Sequence, residues 1–427
     1  MAPYMSGVVI GDPIEGQAII SGWHKISGLI VALTAPFIGA ATDAMGRRKP
    51  LLGVLTGVLA VAIFAQWWAL PEGQGWSLQV LGAIVIIASI SFVWTEVLHN
   101  SMLMSAAPAG GLSRLSGMGL SLGNASSVLL LVFVLWAFAL PGNMSLPFLP
   151  ERPLFGLDPA AYEPSRIVAP LCAVWLIVFA TPLFLYTRDL ESSGQKLGQA
   201  FANGFLSVLR TIRKLRDYRN VALFLIARMF YADGKTAILI FSGVYAAGVM
   251  NWGLIEMLTY GVVLSVFAVA GGFASAWLDR VVGPKRAVAM EIAVTLVCLV
   301  AMVSVSADRI FFVVPVDADA RIWGGPSFGT LPELTYLAFS LVIAISITAA
   351  YASSRALMAQ LAPPGMAGEL FGLYALSASA TAWLGPLLVE HFTAAYHSQR
   401  AGFGSVSILL VLGFLLLLFV KPPQKSA

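Results

Sequence analysis

The sequence predicts an all-α protein that crosses a membrane many times, and three observations carry that prediction. First, 59% of the 427 residues are hydrophobic and only 11% are charged, against about 25% charged in an ordinary soluble domain. That balance excludes a soluble enzyme. Second, each crossing takes about 20 apolar residues, so the apolar content fills about a dozen spans and leaves little chain for a domain outside the bilayer. Third, residues 406–420 read VSILLVLGFLLLLFV, whereas the strands of a membrane barrel alternate apolar and polar residues. The spans are helices. The 40 glycines and 11 tryptophans agree, because Gly is frequent inside membrane helices and Trp at their interfaces.

Apolar runs of helix length, each closed at Pro, Gly or a charge cluster, fall at 17–42, 51–70, 78–104, 116–140 and 166–187. Six more follow at 220–247, 254–278, 286–305, 335–361, 370–393 and 403–420. The chain therefore divides into an N-terminal helical bundle (1–187), a basic linker (188–219) and a C-terminal six-helix bundle (220–427). The linker carries Arg188, Lys196, Arg210, Arg213, Lys214, Arg216 and Arg219, and its stretch FLSVLRTIRKLRDYRN has the pattern of a helix lying on an anionic membrane face.

Charge fixes the expected orientation, since short cytoplasmic loops hold the excess of Lys and Arg. One alternating set of loops, with the linker and the C-terminus, holds sixteen of these residues; the opposite set holds five and the spans hold four. The C-terminus and the linker are thus expected in the cytoplasm. The formal charge of +4 reports loop orientation, and no nucleic-acid partner is called for. Cys172 and Cys298 both lie in apolar runs, so neither a disulfide framework nor a cysteine metal cluster is available, and no cofactor is expected. No Lys or Arg precedes Lys25, and no cleavable targeting segment is visible.

Two loops share a pattern. Residues 39–50 read GAATDAMGRRKP and residues 275–288 read SAWLDRVVGPKRAV. Each places an Asp at a helix end, a Gly three or four residues on, and then basic residues. Asp43 and Asp279 mark equivalent points of an internal repeat, a common construction in secondary transporters. The first loop resembles the major facilitator signature G-x-x-x-D-x-x-G-R-R, carried by Gly39, Asp43, Gly46, Arg47 and Arg48. Longer stretches narrow the resemblance: GDPIEGQAIISGW, SGLIVALTAPFIGAATDAMGRRKP, ARMFYADGKTAILIFSGVYAAGV, SSRALMAQLAPPG and ELFGLYALSASATAWLGP. Together they resemble the bacterial major facilitators related to the autophagy-associated vacuolar amino-acid effluxers of fungi.

The resemblance implies a fold of two six-helix bundles and transport of a small molecule. It covers nearly the whole chain, with two departures. Family members carry a complete first membrane helix before the segment that begins here APYMSGVVIGDP, so about eleven spans are expected, with Met1 a misassigned start or the gene truncated. The nucleotide sequence upstream tests this, as about 20 further apolar residues in frame would restore the helix. In addition, Ala378 and Ser379 stand where many relatives have a Gly-Lys pair, so no lysine role transfers there.

Charge inside a bilayer is costly, so its placement points to function. Glu96, His99 and Asn100 have i, i+3, i+4 spacing and share one helix face. Arg228, Tyr231 and Lys235 lie within about 60° on the wheel of their span, with Asp233 about 140° from Arg228. Arg355 sits late in the span 335–361. With the family's first helix counted, these spans are helices 4, 7 and 10, which the resemblance places around the central cavity together with helix 1. Arg228 is about 12 Å inside its span. It either clamps a substrate carboxylate or pairs with Glu96 and holds helices together. Asp233 and Glu96 are either titrating groups that permit proton coupling or fixed salt-bridge partners. His99 is either a proton relay or simply hydrogen-bonded. Lys25 and His24 are expected to snorkel outward, with substrate contact the alternative, and Glu291, Glu390 and His391 to be interfacial.

The resemblance implies a different role for the two loops. Asp43 with Gly39, Gly46, Arg47 and Arg48, and Asp279 with Arg280, Gly283, Lys285 and Arg286, would form a conformational gate at the cytoplasmic face. The function expected is secondary-active transport of a small polar metabolite, an amino acid or related organic anion, by a monomer in the bacterial cytoplasmic membrane, with proton-coupled efflux as one option and the coupling ion left open. The alternative is a non-transporting relative that acts as an assembly factor or receptor. A membrane enzyme would need clustered Asp, paired axial His or a nucleophile elbow, none of which the sequence offers.

Overall fold

The computed structural model describes residues 1–45, 47–71, 74–106, 112–142, 149–189, 199, 213, 217–317, 320–325, 327–361, 373–374, 376–378 and 380–421. The first half consists of α1 (Pro13–Met45), α2 (Lys49–Phe64), α3 (Leu78–Ala106), α4 (Leu112–Val134) and α5 (Val168–Tyr186). The second half consists of α6 (Arg219–Val249), α7 (Leu254–Val282), α8 (Pro284–Val303), α9 (Leu331–Leu361), α10 (Leu384–Tyr396) and α11 (Ser407–Phe419). A short helical segment, Ala2–Tyr4 continued by a wider turn at Met5–Val9, precedes them. The expected amphipathic helix of the linker lies almost wholly outside the described residues.

Local chemistry sets the helix ends. Asp12 Oδ1 accepts from the Ile14 and Glu15 amides at 2.7 and 3.0 Å and so starts α1. The start of α2 is capped from a distance, because Asp189 takes the Arg48 and Lys49 amides on its two oxygens, each at 3.0 Å. Pro50 and Pro284 stand in the first turns of α2 and α8, where a missing N–H leaves nothing unpaired. Gly283 joins α7 to α8 at φ +83°, a left-handed conformation that excludes most side chains.

One expectation is corrected. The span 370–393 is not an unbroken helix: residues 380–383 form a turn, and α10 begins at Leu384. The physical reason is Pro386, which is tolerated in a first turn and would break an i to i−4 hydrogen bond deeper in a helix.

Among the described residues, seven helices are long and apolar enough to cross a membrane. Large apolar side chains project from the outside of the bundle, including Leu33, Val61, Phe273 and Trp277. Such a surface suits lipid. The interior adds to its aliphatic core a set of fully buried rings, Tyr231, Tyr245, Tyr336 and Phe403, and buried polar groups. Within the halves, α1 packs on α3, α2 on α3 and α5, α7 and α8 on α9, and α6 on α11. Across the halves, α1 meets α10 and α4 meets α7.

Candidate functional site

Helix α6 supplies the centre of the site. Its Arg228, Tyr231, Asp233 and Lys235 are all buried, none more than 6% exposed. The guanidinium of Arg228 donates to the Tyr374 carbonyl and, at 2.6 Å, to the Ser377 hydroxyl. It also lies 3.5 Å from the centre of the Tyr374 ring. These are neutral partners. The Tyr231 hydroxyl is 2.6 Å from Ser354 Oγ on α9, and the Tyr374 hydroxyl donates to that same Ser354 oxygen at 3.1 Å. Lys235 Nζ lies 5.2 Å from the Tyr231 ring. Arg228, Tyr231, Tyr374 and Lys235 thus form one cation-aromatic cluster, in which neither cation has an ion-pair partner among the described residues.

Asp233 points elsewhere, as its place on the helix wheel dictates. Its Oδ2 accepts from the Gly385 amide at 2.9 Å, in the first turn of α10. A helix that restarts inside the bundle leaves unpaired N–H groups with a positive dipole end, and a buried carboxylate satisfies both. Its other oxygen, Oδ1, has no hydrogen-bond partner.

The remaining predicted residues are dispersed. Glu96 and His99 lie on an exposed face of α3, and the Asn100 side chain is outside the described set. The pairing of Arg228 with Glu96 is not formed, since the hydrogen bonds of Arg228 go to Tyr374 and Ser377. Arg355 turns along its own helix, donating to the Tyr351 hydroxyl at 3.0 Å with its guanidinium 4.4 Å from that ring. Of the proposed gate, the side chains of Gly39 and Asp43 and the whole of Gly46 are outside the described residues. Arg47, Arg280 and Arg286 are exposed. Lys285 Nζ donates to the Leu418 carbonyl at the end of α11 at 3.1 Å.

Three expectations are overturned here. Lys25 does not snorkel: its ammonium is 2.6 Å from Glu390 Oε2, a salt bridge between the first and second halves. Nor does His24, whose ring stands edge-on to buried Phe241 with the centroids 6.1 Å apart. Glu291 is not interfacial, being only 4% exposed, with its Oε1 accepting from Ser353 at 3.0 Å. Its seven residues past the start of α8 correspond to about 10 Å of depth, which was the sequence signal for burial. Tyr374 and Ser377 had no such signal.

Residues 104–426 match the family described as Vacuole effluxer Atg22 like. The chain belongs to this family. It is 23% identical over 418 residues to the MFS-type transporter YxiO of Bacillus subtilis, covering 97% of this chain and 86% of that protein. It is also 22% identical over 294 residues to autophagy-related protein 22 of Yarrowia lipolytica, covering 61% of this chain. The match spans 46% of that fungal protein's length. Among solved structures, a D-xylose-proton symporter superposes with a TM-score of 0.65 at 10% identity, over 100% of this chain and 93% of the other. The fold is therefore that of a major facilitator, and the protein is a multi-pass membrane protein related to transporters. In an Atg22-like chain the cation-aromatic cluster on α6 accordingly lies inside a transporter scaffold.

Proposed function

We propose that the protein is a secondary-active transporter that exports a small polar metabolite bearing a carboxylate, an amino acid or a related organic anion, by alternating access. The observation that carries this reading is the pair of buried cations, Arg228 and Lys235, held by neutral and aromatic groups and lacking an ion-pair partner among the described residues. A buried guanidinium matched only by a carbonyl, a hydroxyl and a ring gains from exchanging them for a carboxylate, which it binds in bidentate fashion. That exchange would release Tyr374 and Ser377, which immediately precede the turn into α10. Because α10 carries Glu390 and Thr393, substrate binding would be transmitted to the contacts that join α10 to α1.

In this reading the moving bodies are residues 1–187 and 220–427, joined by the linker 188–219. The protein works as a monomer in the bacterial cytoplasmic membrane, with its C-terminus in the cytoplasm. The name of the family, a vacuole effluxer, supports the export direction.

The test is transport in proteoliposomes against a panel of amino acids and small organic acids, comparing the wild type with Arg228→Lys and Arg228→Met. Arg228→Met should lose roughly 100-fold in apparent affinity, the equivalent of one bidentate charge-assisted contact of about 3 kcal/mol. Arg228→Lys should recover part of it. Undiminished affinity in Arg228→Met would remove Arg228 from the site. A wild type that moves none of these carboxylates would defeat the substrate class.

A further inference from the structure

Apart from the α6 cluster, three helices of the second half meet at a pair of buried hydroxyls. Ser353 on α9 donates to Glu291 Oε1 on α8 at 3.0 Å and lies 2.9 Å from Ser275 Oγ on α7. Ser353, Ser275 and Glu291 are 0, 2 and 4% exposed. Asp279, one turn along α7 from Ser275 and so on the same face of that helix, is partly buried and in the electrostatic field of Glu291. Two oxygens are then left over. Glu291 Oε2 and Asp279 Oδ1 are both shut off from solvent without a hydrogen-bond partner.

Bare carboxylate oxygens in a sealed interior are strongly unfavourable, because they lose hydration and receive nothing in exchange. Here two of them occur around one pair of serines. The charges around the cluster narrow what would satisfy them. Lys235 and Tyr231 reach Glu291 electrostatically from α6, and Asp279 from α7. On α9, Arg355 turns to Tyr351, and α11 has no ionisable side chain. Of the two carboxylates Glu291 is the one in the field of Lys235, and Arg228 stands beyond that ammonium on the same helix. With two cations already on α6, a singly charged cation adds less repulsion at these oxygens than a divalent ion would.

We propose that Glu291, Asp279, Ser353 and Ser275 form a binding site for one monovalent cation, a proton or Na⁺. All four offer oxygen, the ligand type that hard cations require. A proton would reside on a carboxylate and be shared with its neighbour. Sodium would draw the two bare oxygens and the two hydroxyls to itself. The neighbouring residue on α9, Ser354, is hydrogen-bonded to the hydroxyls of both Tyr231 and Tyr374, so the cation site and the α6 cluster adjoin along one turn of helix. Occupancy would change the field at Lys235 and hence the affinity for an anion beside it, a reciprocal coupling of two sites. As a coupling site the assignment rests on the transport reading above; as a binding site it stands without it.

The test measures binding and not transport, so the two ideas fail separately. Full-length protein in detergent is titrated with NaCl against choline chloride at constant ionic strength while its thermal midpoint is followed. In parallel, proton uptake is recorded between pH 8 and 5 with an indicator dye in weak buffer. For a sodium site the wild-type midpoint rises with the logarithm of sodium concentration, and Glu291→Gln abolishes the rise. For a proton site sodium has no effect, and Glu291→Gln and Asp279→Asn each take up about one proton fewer than the wild type, a linkage of charge to occupancy. Ser353→Ala, which removes a hydroxyl and no charge, should weaken sodium binding at least tenfold or shift the midpoint of proton uptake. The proposal is overturned if the wild type responds to neither cation, or if Glu291→Gln and Ser353→Ala respond as the wild type does.

Discussion

Two of the seams between the halves of the molecule are of opposite character. Along α1 and α10 the contacts are polar and specific. Gln17 Nε2 donates to the Thr393 hydroxyl at 2.8 Å and to the Gln399 carbonyl at 3.1 Å, while Gln399 Nε2 donates to the Pro13 carbonyl at 2.7 Å. Further along, Lys25 pairs with Glu390, and Gly28 lies against the backbone of Ala382 and Trp383. Along α4 and α7 the seam is apolar. Val134 at the end of α4, with Ala137 and Phe138 just beyond it, packs with Leu258, and Leu131 covers Gly261.

The difference teaches how such an interface can have two states. Hydrogen bonds and an ion pair in low dielectric have narrow geometry, so the polar seam is either made or broken. Dispersion contacts have no such directionality, and an apolar seam can slide by small amounts and repack. The polar seam behaves as a latch, and the apolar one as a bearing.

The most damaging break of this contrast is Gly28→Val. A Cβ at residue 28 would fall 2.5 Å from the Ala382 carbonyl oxygen, and backbone cannot yield as a side-chain tip can. A loss of about 3 kcal/mol, the upper end of overpacking penalties, should appear as a lowered thermal midpoint in detergent; a midpoint within error of the wild type would mean that α1 and α10 are not held this closely. Next comes Lys25→Met, which strands Glu390. With the pair about a third exposed, the expected loss is about 1–2 kcal/mol, between values for surface and buried pairs. The double change Lys25→Met with Glu390→Leu should restore much of it, and a double-mutant cycle without coupling would show the pair to be inert.

Gln17→Leu removes two neutral hydrogen bonds, for an expected loss of about 1–2 kcal/mol. It should also increase labelling of a cysteine placed at Ser398 if the latch opens more often. The apolar seam supplies the smallest effect. In Gly261→Ala the new methyl meets the two methyls of Leu131, at 3.3 and 3.6 Å, and that side chain can rotate aside. A change within about 0.5 kcal/mol is expected, and a large loss there would erase the distinction between latch and bearing.

Much of the bundle was legible in the sequence, because a helix in lipid must satisfy all its backbone groups internally and so announces itself as an unbroken apolar run. The exception is instructive. The run 370–393 is apolar throughout its middle, and only Pro386 betrays that the helix restarts at Leu384. The site was legible in part. Arg228, Tyr231 and Lys235 share a helix face by spacing alone, and the same spacing sends Asp233 toward α10. Their partners come from residues 123 to 149 positions away, Ser354, Tyr374 and Ser377, and no local pattern encodes a pairing at such separation.

By itself, then, the sequence determined that this chain is a polytopic helical membrane protein, where most of its helices run, and that Arg228, Tyr231 and Lys235 share one buried helix face. Composition and periodicity suffice for that, because lipid rewards only one kind of surface. The tertiary structure alone decided what those charges face. Arg228 is held by neutral groups and not by Glu96, Lys25 bridges the halves to Glu390, and buried Glu291 accepts from Ser353 of a neighbouring helix. The strength of a buried charge's interactions depends on its nearest few ångströms, and packing brings those neighbours from helices far apart in the chain.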